Sequence, residues 1–220
     1  MAPILTTGGG AYRGAVATAT FDPSHTDSAM TLSSGNLVGT VGAGTFAFST
    51  TLCTASTTSG LKYCEMTITE DSTYGGFIGL GLCRQSFTLT SSISTGGGAN
   101  VHVGWGGDGN VVTQAAGGSP IATIQLFTEG DIIAMAARFD TSKIFFNRYR
   151  SGAWGNWNNN GSANPDTDTG GLSFASETGA ALFPAVTLLV YTATTQIITA
   201  NFGGSAYQGA PNVTTFGNWT

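Results

Sequence analysis

No stretch of this chain repeats its apolar residues at a helical period for more than about two turns. What recurs instead is a period of two. In LKYCEMTI, residues 61–68, Cys64, Met66 and Ile68 fall on one side of an extended backbone and Tyr63, Glu65 and Thr67 on the other. That is the pattern of a half-buried strand. Short β-prone runs alternate with turns rich in Gly, Ser and Asn. They predict strands near 15–21, 36–41, 45–52, 61–69, 76–83, 101–105, 110–114, 131–139, 143–149, 183–191 and 195–202. Many short strands with regular turns point to an all-β sandwich or barrel. Charge supports this. Only 9% of the 220 residues are charged, against about a quarter in an ordinary domain, and Ser, Thr, Asn and 33 glycines take their place. Helix surfaces usually carry Glu, Lys and Arg, whereas twisted strands and tight turns accommodate Thr, Ser and Gly.

The stretch GDIIAMAARFDTSKIFFNRYR, residues 130–150, predicts how the layers stack. Ile133, Met135, Ala137 and Phe139 share one face, and Ile132, Ala134 and Ala136 the other. Both faces are apolar, so this strand is expected inside a sheet and covered on both sides. DTSK (140–143) reads as a hairpin turn that returns Ile144 and Phe146 along the same core. Asp131 and Asp140 then stand at strand ends, where a carboxylate accepts N–H bonds from the adjoining turn, and they read as structural. The length suits one β-domain over residues 15–220. Residues 1–14 form a Gly-rich lead with little apolar area beyond Ile4, Leu5 and Tyr12. It is expected to act as an assembly arm, ordering only against a neighbouring chain or the sandwich surface.

Several function classes are disfavoured. The net charge is −5 and there are only seven Lys and Arg, which argues against nucleic acid. The N-terminus lacks a basic start and a long apolar run, so no signal peptide is read and synthesis is expected in the cytoplasm. The run ALFPAVTLLVY is too short to span a bilayer and is broken by Pro184, so no membrane insertion is expected. Cys53, Cys64 and Cys83 have no metal-type spacing; they read as buried thiols, with a Cys64–Cys83 bridge as the sharper alternative. His25 and His102 have no third group spaced to orient either as a base. Sandwich glycosidases often place two glutamates two apart on one strand, whereas Glu65 and Glu70 are five apart. No enzyme is expected. The glycine strings GGGAYRG and GLGLC lack the strand-then-helix context of a phosphate loop, and no cofactor is expected. In NPDTDTGG, Asn164, Asp166 and Asp168 alternate as calcium ligands would. The glycine falls one place late for an EF-hand and the distal Glu is missing, so a plain Asx-rich turn is the favoured reading.

Binding is better founded. Trp105 lies beside a Gly turn with Asp108 and Asn110, while Trp154, Trp157 and Asn158 sit in an Asn-rich stretch close to Tyr149 and Arg150. Aromatic faces among Asn and Asp suit a sugar or a protein partner. The competing reading has the tryptophans capping the sandwich core. Residues 149–171 are too long for a simple connection, and long loops in compact domains are usually functional or disordered.

The order of these pieces resembles that of SPRY domains. After LKYCEMTI come ITEDSTYGGFIGLGL, VGWGGDGNVV, GDIIAMAARFDTSKIFF, LFPAVTL and ANFGGSAY. The line ATFDPSHTDSAMTLSSGNLVGTV and the insert ANPDTDTGG resemble especially the SPRY-like domains of bacteriophage proteins. The resemblance spans residues 18–208. It implies a concanavalin A-like jelly roll, an antiparallel two-sheet sandwich that binds through loops at one end. It also implies a non-enzymatic virion protein of a tail, fibre or baseplate, oligomeric or assembled in a particle. Such a protein would adhere to host surface glycan or to other virion proteins. A capsid decoration protein and a cellular SPRY-type peptide-binding module are the alternatives. The chain departs from the family where a short Asn-Gly turn would follow the hairpin. There it carries NRYRSGAWGNWNNNGSANPDTDTGG, so any contact with a host or partner is expected through 149–171.

Overall fold

The computed structural model describes residues 18–70, 77–94, 101–113, 119–174, 179–190 and 194–220. The expected arm, residues 1–14, lies outside these, as do residues 15–17 of the strand expected at 15–21. The first strands are β1 (Phe21–Thr26), β2 (Met30–Ser33), β3 (Val38–Val41), β4 (Ser49–Cys53), β5 (Leu61–Glu70) and β6 (Phe77–Cys83). They are followed by β7 (Val101–Gly106), β8 (Asn110–Val112), β9 (Pro120–Thr123), β10 (Ile132–Arg138) and β11 (Lys143–Arg150). The last are β12 (Ala153–Trp154), β13 (Leu172–Ser173), β14 (Phe183–Leu189) and β15 (Gln196–Asn201). One sheet has the order β1-β4-β14-β6-β7-β8-β9, and the other β12-β11-β10-β5-β15-β3-β2 with β13 also on β11. The paired strands are antiparallel throughout, from β1–β4 to β8–β9. The protein is an all-β antiparallel sandwich, as expected.

The strongly patterned strands fall where the sequence puts them. β2, β9, β12 and β13 are additions: each is four residues or fewer and carries too few side chains to display a period. β1 begins where a strand was expected to end, and its sequence FDPSHT contains Pro23. It is an edge strand, where a missing N–H is tolerated.

The sheets meet on their inner faces. Cys64, Met66 and Ile68 of β5, Ile133, Met135 and Ala137 of β10, and Ile144 and Phe146 of β11 pack with Leu80, Val103, Trp105, Val186 and Leu188 of the other sheet. Both outer faces are covered as well. On the first sheet, Phe87 and Ile93 pack over Leu52, Cys83 and Ala185. This strap rests on a floor of glycines. A Cβ on Gly104 would stand 1.9 Å from the Ile93 carbonyl oxygen, and one on Gly79 2.7 Å from Ser94 Oγ. Thr50 and Thr187 tie it down: Thr50 N–H donates to Leu89 O (2.9 Å), Thr50 Oγ1 to Ser91 O (2.9 Å), and Ile93 N–H to Thr187 Oγ1 (3.1 Å).

On the second sheet, Tyr63, Ala134, Ala136 and Phe145 are covered by Trp157, Ala163 and Ala210. Two segments make this cover, the stretch after β12 and the C-terminal residues. Glu65, buried on this face, accepts from Tyr63 Oη (2.6 Å) and from the N–H groups of Gln208 (2.7 Å) and Gly209 (2.9 Å). Burial and the neighbouring carboxylate push the Tyr63 phenol well above its usual range. Trp219 is fully buried and meets Phe139 edge-on at 6.0 Å, in the main core. The two-sided burial expected for β10 is what the structure shows.

Candidate functional site

Strand register brings one set of chain ends together. Gly79 pairs with Gly106, Ile132 with Thr67 and Tyr149, and Tyr149 with Trp154. The turn after β7, the start of β10 and the β11–β12 hairpin therefore share one end of the sandwich. Residues 124–131 pass there from β9 of the first sheet to β10 of the second, and they close the seam between the sheets. Ile124 N–H donates to Gly109 O (2.8 Å), and Trp105 Nε1 donates to Gln125 O (3.1 Å). On the other side, Arg148 Nη1 donates to Leu126 O and Gln125 Nε2 to Asn156 O (3.2 Å). Ile124 and Phe127 point into the core, while Leu126 between them is left 58% exposed.

The expected binding residues divide here. Trp105 is fully buried, edge-on to Phe127 at 4.7 Å and tilted against Phe146 at 5.4 Å. Trp157 is 2% exposed, faces Phe145 edge-on and donates from Nε1 to Pro211 O (2.8 Å). Asn158 closes a gap in a sheet edge. β11 pairs with β12 at Tyr149–Arg150 and with β13 at Lys143–Ile144. Between them, Asn158 Oδ1 accepts from Phe146 N–H (2.9 Å) and its Nδ2 donates to Ile144 O (3.2 Å) and Gly170 O (3.0 Å). One carboxamide thus stands in for a missing strand. It reaches that place from a left-handed backbone, φ 49°, which asparagine tolerates better than most residues. Arg150 Nε and Nη2 clasp the buried Asp131 carboxylate at 2.6 and 2.5 Å, and Asp131 also accepts from Thr128 N–H (2.9 Å). The hydrogen bonds to Asp131 raise the Arg150 pKa above its ordinary value.

Tyr149 and Trp154 instead form a tilted, half-buried cross-strand pair, 5.4 Å between centroids. Asp108 is exposed and shapes its turn by accepting from Asn110 N–H (3.1 Å) and Nδ2 (2.8 Å). Asn110 Oδ1 accepts in turn from Thr123 (3.3 Å). The structure thus joins the two expected groups of residues through a segment the sequence reading passed over. Its only sign in the sequence is IQLFTEG, where Leu126 and Phe127 lie side by side in a polar connection, so both cannot face inward. Three buried polar atoms at this place, Gln125 Oε1, Arg148 Nε and Trp154 Nε1, have no hydrogen-bond partner. Phe46, 72% exposed, lies in the β3–β4 connection at the same end, next to Phe48, which meets Phe77 edge-on at 5.9 Å.

Asn164, Asp166 and Asp168 do not converge as ligands. Both Asp166 oxygens are taken by the N–H and hydroxyl groups of Thr214 and Thr215, at 2.8–3.3 Å. Asp168 Oδ1 turns towards Arg138 Nε at 3.8 Å, and the Asn164 backbone bridges to Thr169. Among the described residues no group of three His, Cys, Asp or Glu side chains could hold a metal ion. The three cysteines are free and buried, which removes the Cys64–Cys83 bridge. Burial pushes the Cys53 thiol up to about 12 and raises Cys64 and Cys83 as well.

His25 departs from expectation, because three groups do orient it. Asp22 Oδ2 lies 2.7 Å and Ser24 Oγ 3.1 Å from His25 Nδ1, and Gln85 Nε2 lies 3.0 Å from Nε2. Serine and aspartate approach the same ring nitrogen, so the group lacks the relay order of a hydrolase triad. Asp140 accepts from Arg138 Nη2 (2.8 Å) and Thr141 N–H (3.0 Å), as a strand-end acid should.

No family model matches this chain, and no curated protein matches it. Solved structures do. The SPRY domain of human HERC1 is 16% identical, with a TM-score of 0.57 over 84% of this chain and 99% of that one. The PSpry domain of TRIM65 is 13% identical, with a TM-score of 0.55 over 84% of this chain and 92% of that one. A stonustoxin structure is 17% identical, with a TM-score of 0.57 over 84% of this chain and 27% of the toxin chain. At such identities the likeness speaks for architecture, and the fold is SPRY-like.

Proposed function

We propose that this protein is a non-enzymatic recognition module that binds a protein partner at the seam closed by residues 124–131. One observation carries the reading. The chain covers the outer faces of both sheets with its own segments, yet at the seam it leaves Leu126 58% exposed close to the Tyr149–Trp154 pair. Buried polar atoms without partners cost about 1–3 kcal/mol each, and three of them lie here, so this surface is not built for the stability of the free chain. SPRY domains are protein-interaction modules, which supports the same reading.

The finer reading is a bacteriophage virion protein of a tail, fibre or baseplate, contacting another virion protein or host surface glycan. The order of the sequence motifs and the low-charge surface rich in Thr, Gly and Asn support it. The test is adsorption of the purified protein to host cells and to isolated virion proteins. Leu126→Asp and Trp154→Ala should each reduce capture about tenfold, with the fold intact. Thr58→Asp, at the opposite end, should change nothing. Equal capture by all four proteins would remove the seam as the binding surface.

A further inference from the structure

Resting on that reading, we propose that the partner docks a chain segment in which a carboxylate neighbours an apolar side chain. Arg148 takes the carboxylate and Leu126 takes the apolar group. Of the three arginines on β10 and β11, Arg148 alone lacks a carboxylate partner. Arg138 pairs with Asp140 at 2.8 Å, and Arg150 pairs with Asp131 at 2.5 Å. Arg148 has no carboxylate within ion-pair distance among the described residues. Its Nη1 is spent on the Leu126 carbonyl, while Nη2 makes no protein hydrogen bond and is not among the buried polar atoms. Two of the nearby acids are committed elsewhere, and the third, Glu129, is exposed and outside ion-pair distance of Arg148. Asp131 holds Arg150 and Thr128 N–H, and Asp108 holds Asn110. A chain of net charge −5 therefore carries here a guanidinium with no directly paired carboxylate.

Burial and the Arg150 charge both depress the Arg148 pKa, a condition that an incoming anion relieves. The guanidinium is held by the carbonyl of the very residue whose side chain is exposed. Cation and apolar group are thus neighbours by construction, and the fork is already oriented. Guanidinium prefers carboxylate in a planar, two-bond geometry, and a group fixed beforehand loses little freedom on binding. A neutral glycan would leave this charge without a partner, which favours an acidic protein segment over a sugar.

The experiment selects dodecapeptides from a displayed random library on the immobilised protein, then titrates the synthetic consensus by calorimetry. The expected consensus places Asp or Glu within about two residues of a large apolar side chain, a spacing one extended segment can bridge. Changing that acid to its amide should weaken binding about tenfold to the native protein and little to Arg148→Gln, and Leu126→Ser should weaken both. Arg148→Glu should recover a peptide whose acid is replaced by lysine, and Arg148→Lys should bind at an intermediate level. Circular dichroism melts establish that each variant is folded. Peptides that need Leu126 but carry no acid and ignore Arg148→Gln would overturn the inference and leave the recognition surface standing. Peptides indifferent to both residues, or no selected peptide, would overturn the surface itself.

Discussion

The two outer faces of the sandwich are hidden by opposite means. On the first sheet the floor has been emptied: Gly79 and Gly104 present no side chain, and the strap Phe87–Ser94 brings its backbone onto them, held by Thr50 and Thr187. On the second sheet the floor is small but apolar, with Ala134, Ala136 and Phe145, and the cover supplies the bulk through Trp157. The first arrangement depends on the absence of atoms and has no tolerance for added volume. The second depends on the fit of one large ring and fails when that ring is removed. Because both faces are occupied by the chain itself, what remains for a partner is the seam and the loops beside it.

The comparison is most severely tested by subtraction. Trp157→Ala should destabilise the protein by about 4 kcal/mol, since a buried indole leaves a cavity over Ala134 and Ala136. A calorimetric melt measures this, and a loss under about 1 kcal/mol would mean that the cover is not packed as described. Addition tests the other face. Gly104→Ala should cost about 3 kcal/mol, because the new methyl meets the backbone of Ile93 and no rotamer can relieve it. Urea unfolding should show a lower midpoint at an unchanged slope.

Asn158→Ala isolates the edge-filling carboxamide. It leaves Phe146 N–H without its partner, at a cost of about 2 kcal/mol, and hydrogen exchange at Phe146 should accelerate before that of Met135 on β10.

A smaller effect concerns the junction between the two halves of the second cover. Burial acts to raise the Asp166 pKa, but hydrogen bonds from Thr214 and Thr215 outweigh it and hold the carboxyl below its ordinary 3.8. A folded value below the unfolded one contributes stability that is fully present above about pH 4 and is lost as pH falls through the folded value. Melting temperature should therefore decline on acidification below about pH 4. The decline should be shallower in Asp166→Asn, and identical slopes would remove Asp166 from the junction.

How far the sequence alone reveals this arrangement follows from which signals are local. β5 shows its inner and outer faces because the six residues 63–68 alternate, and β10 announces burial on both sides because Ala134 and Ala136 interrupt no apolar run. Strands of two to four residues, such as β2, β9 and β12, lack the length for a period. The fate of the tryptophans is not local at all. Trp157 stands in a polar stretch, and only pairing of β5, β10 and β11 creates the shallow apolar floor that it fills. Trp154, three residues earlier in the same setting, has no such floor and stays half-exposed beside Tyr149. Asn158 and Arg150 look like ligand contacts because their chemistry suits ligands. In the fold they satisfy the edge of β11 and the buried Asp131.

The division between occupied faces and an open seam is tested most directly by hydroxyl-radical footprinting of the native protein, read residue by residue by mass spectrometry. In the free protein, Leu126, Tyr149 and Trp154 should be oxidised readily, while Trp105, Trp157 and Trp219 stay protected until the chain unfolds. With the selected peptide bound, protection should appear at Leu126 and Trp154. Oxidation of Trp157 as rapid as that of Trp154, or peptide-dependent protection confined to the outer faces, would contradict the account.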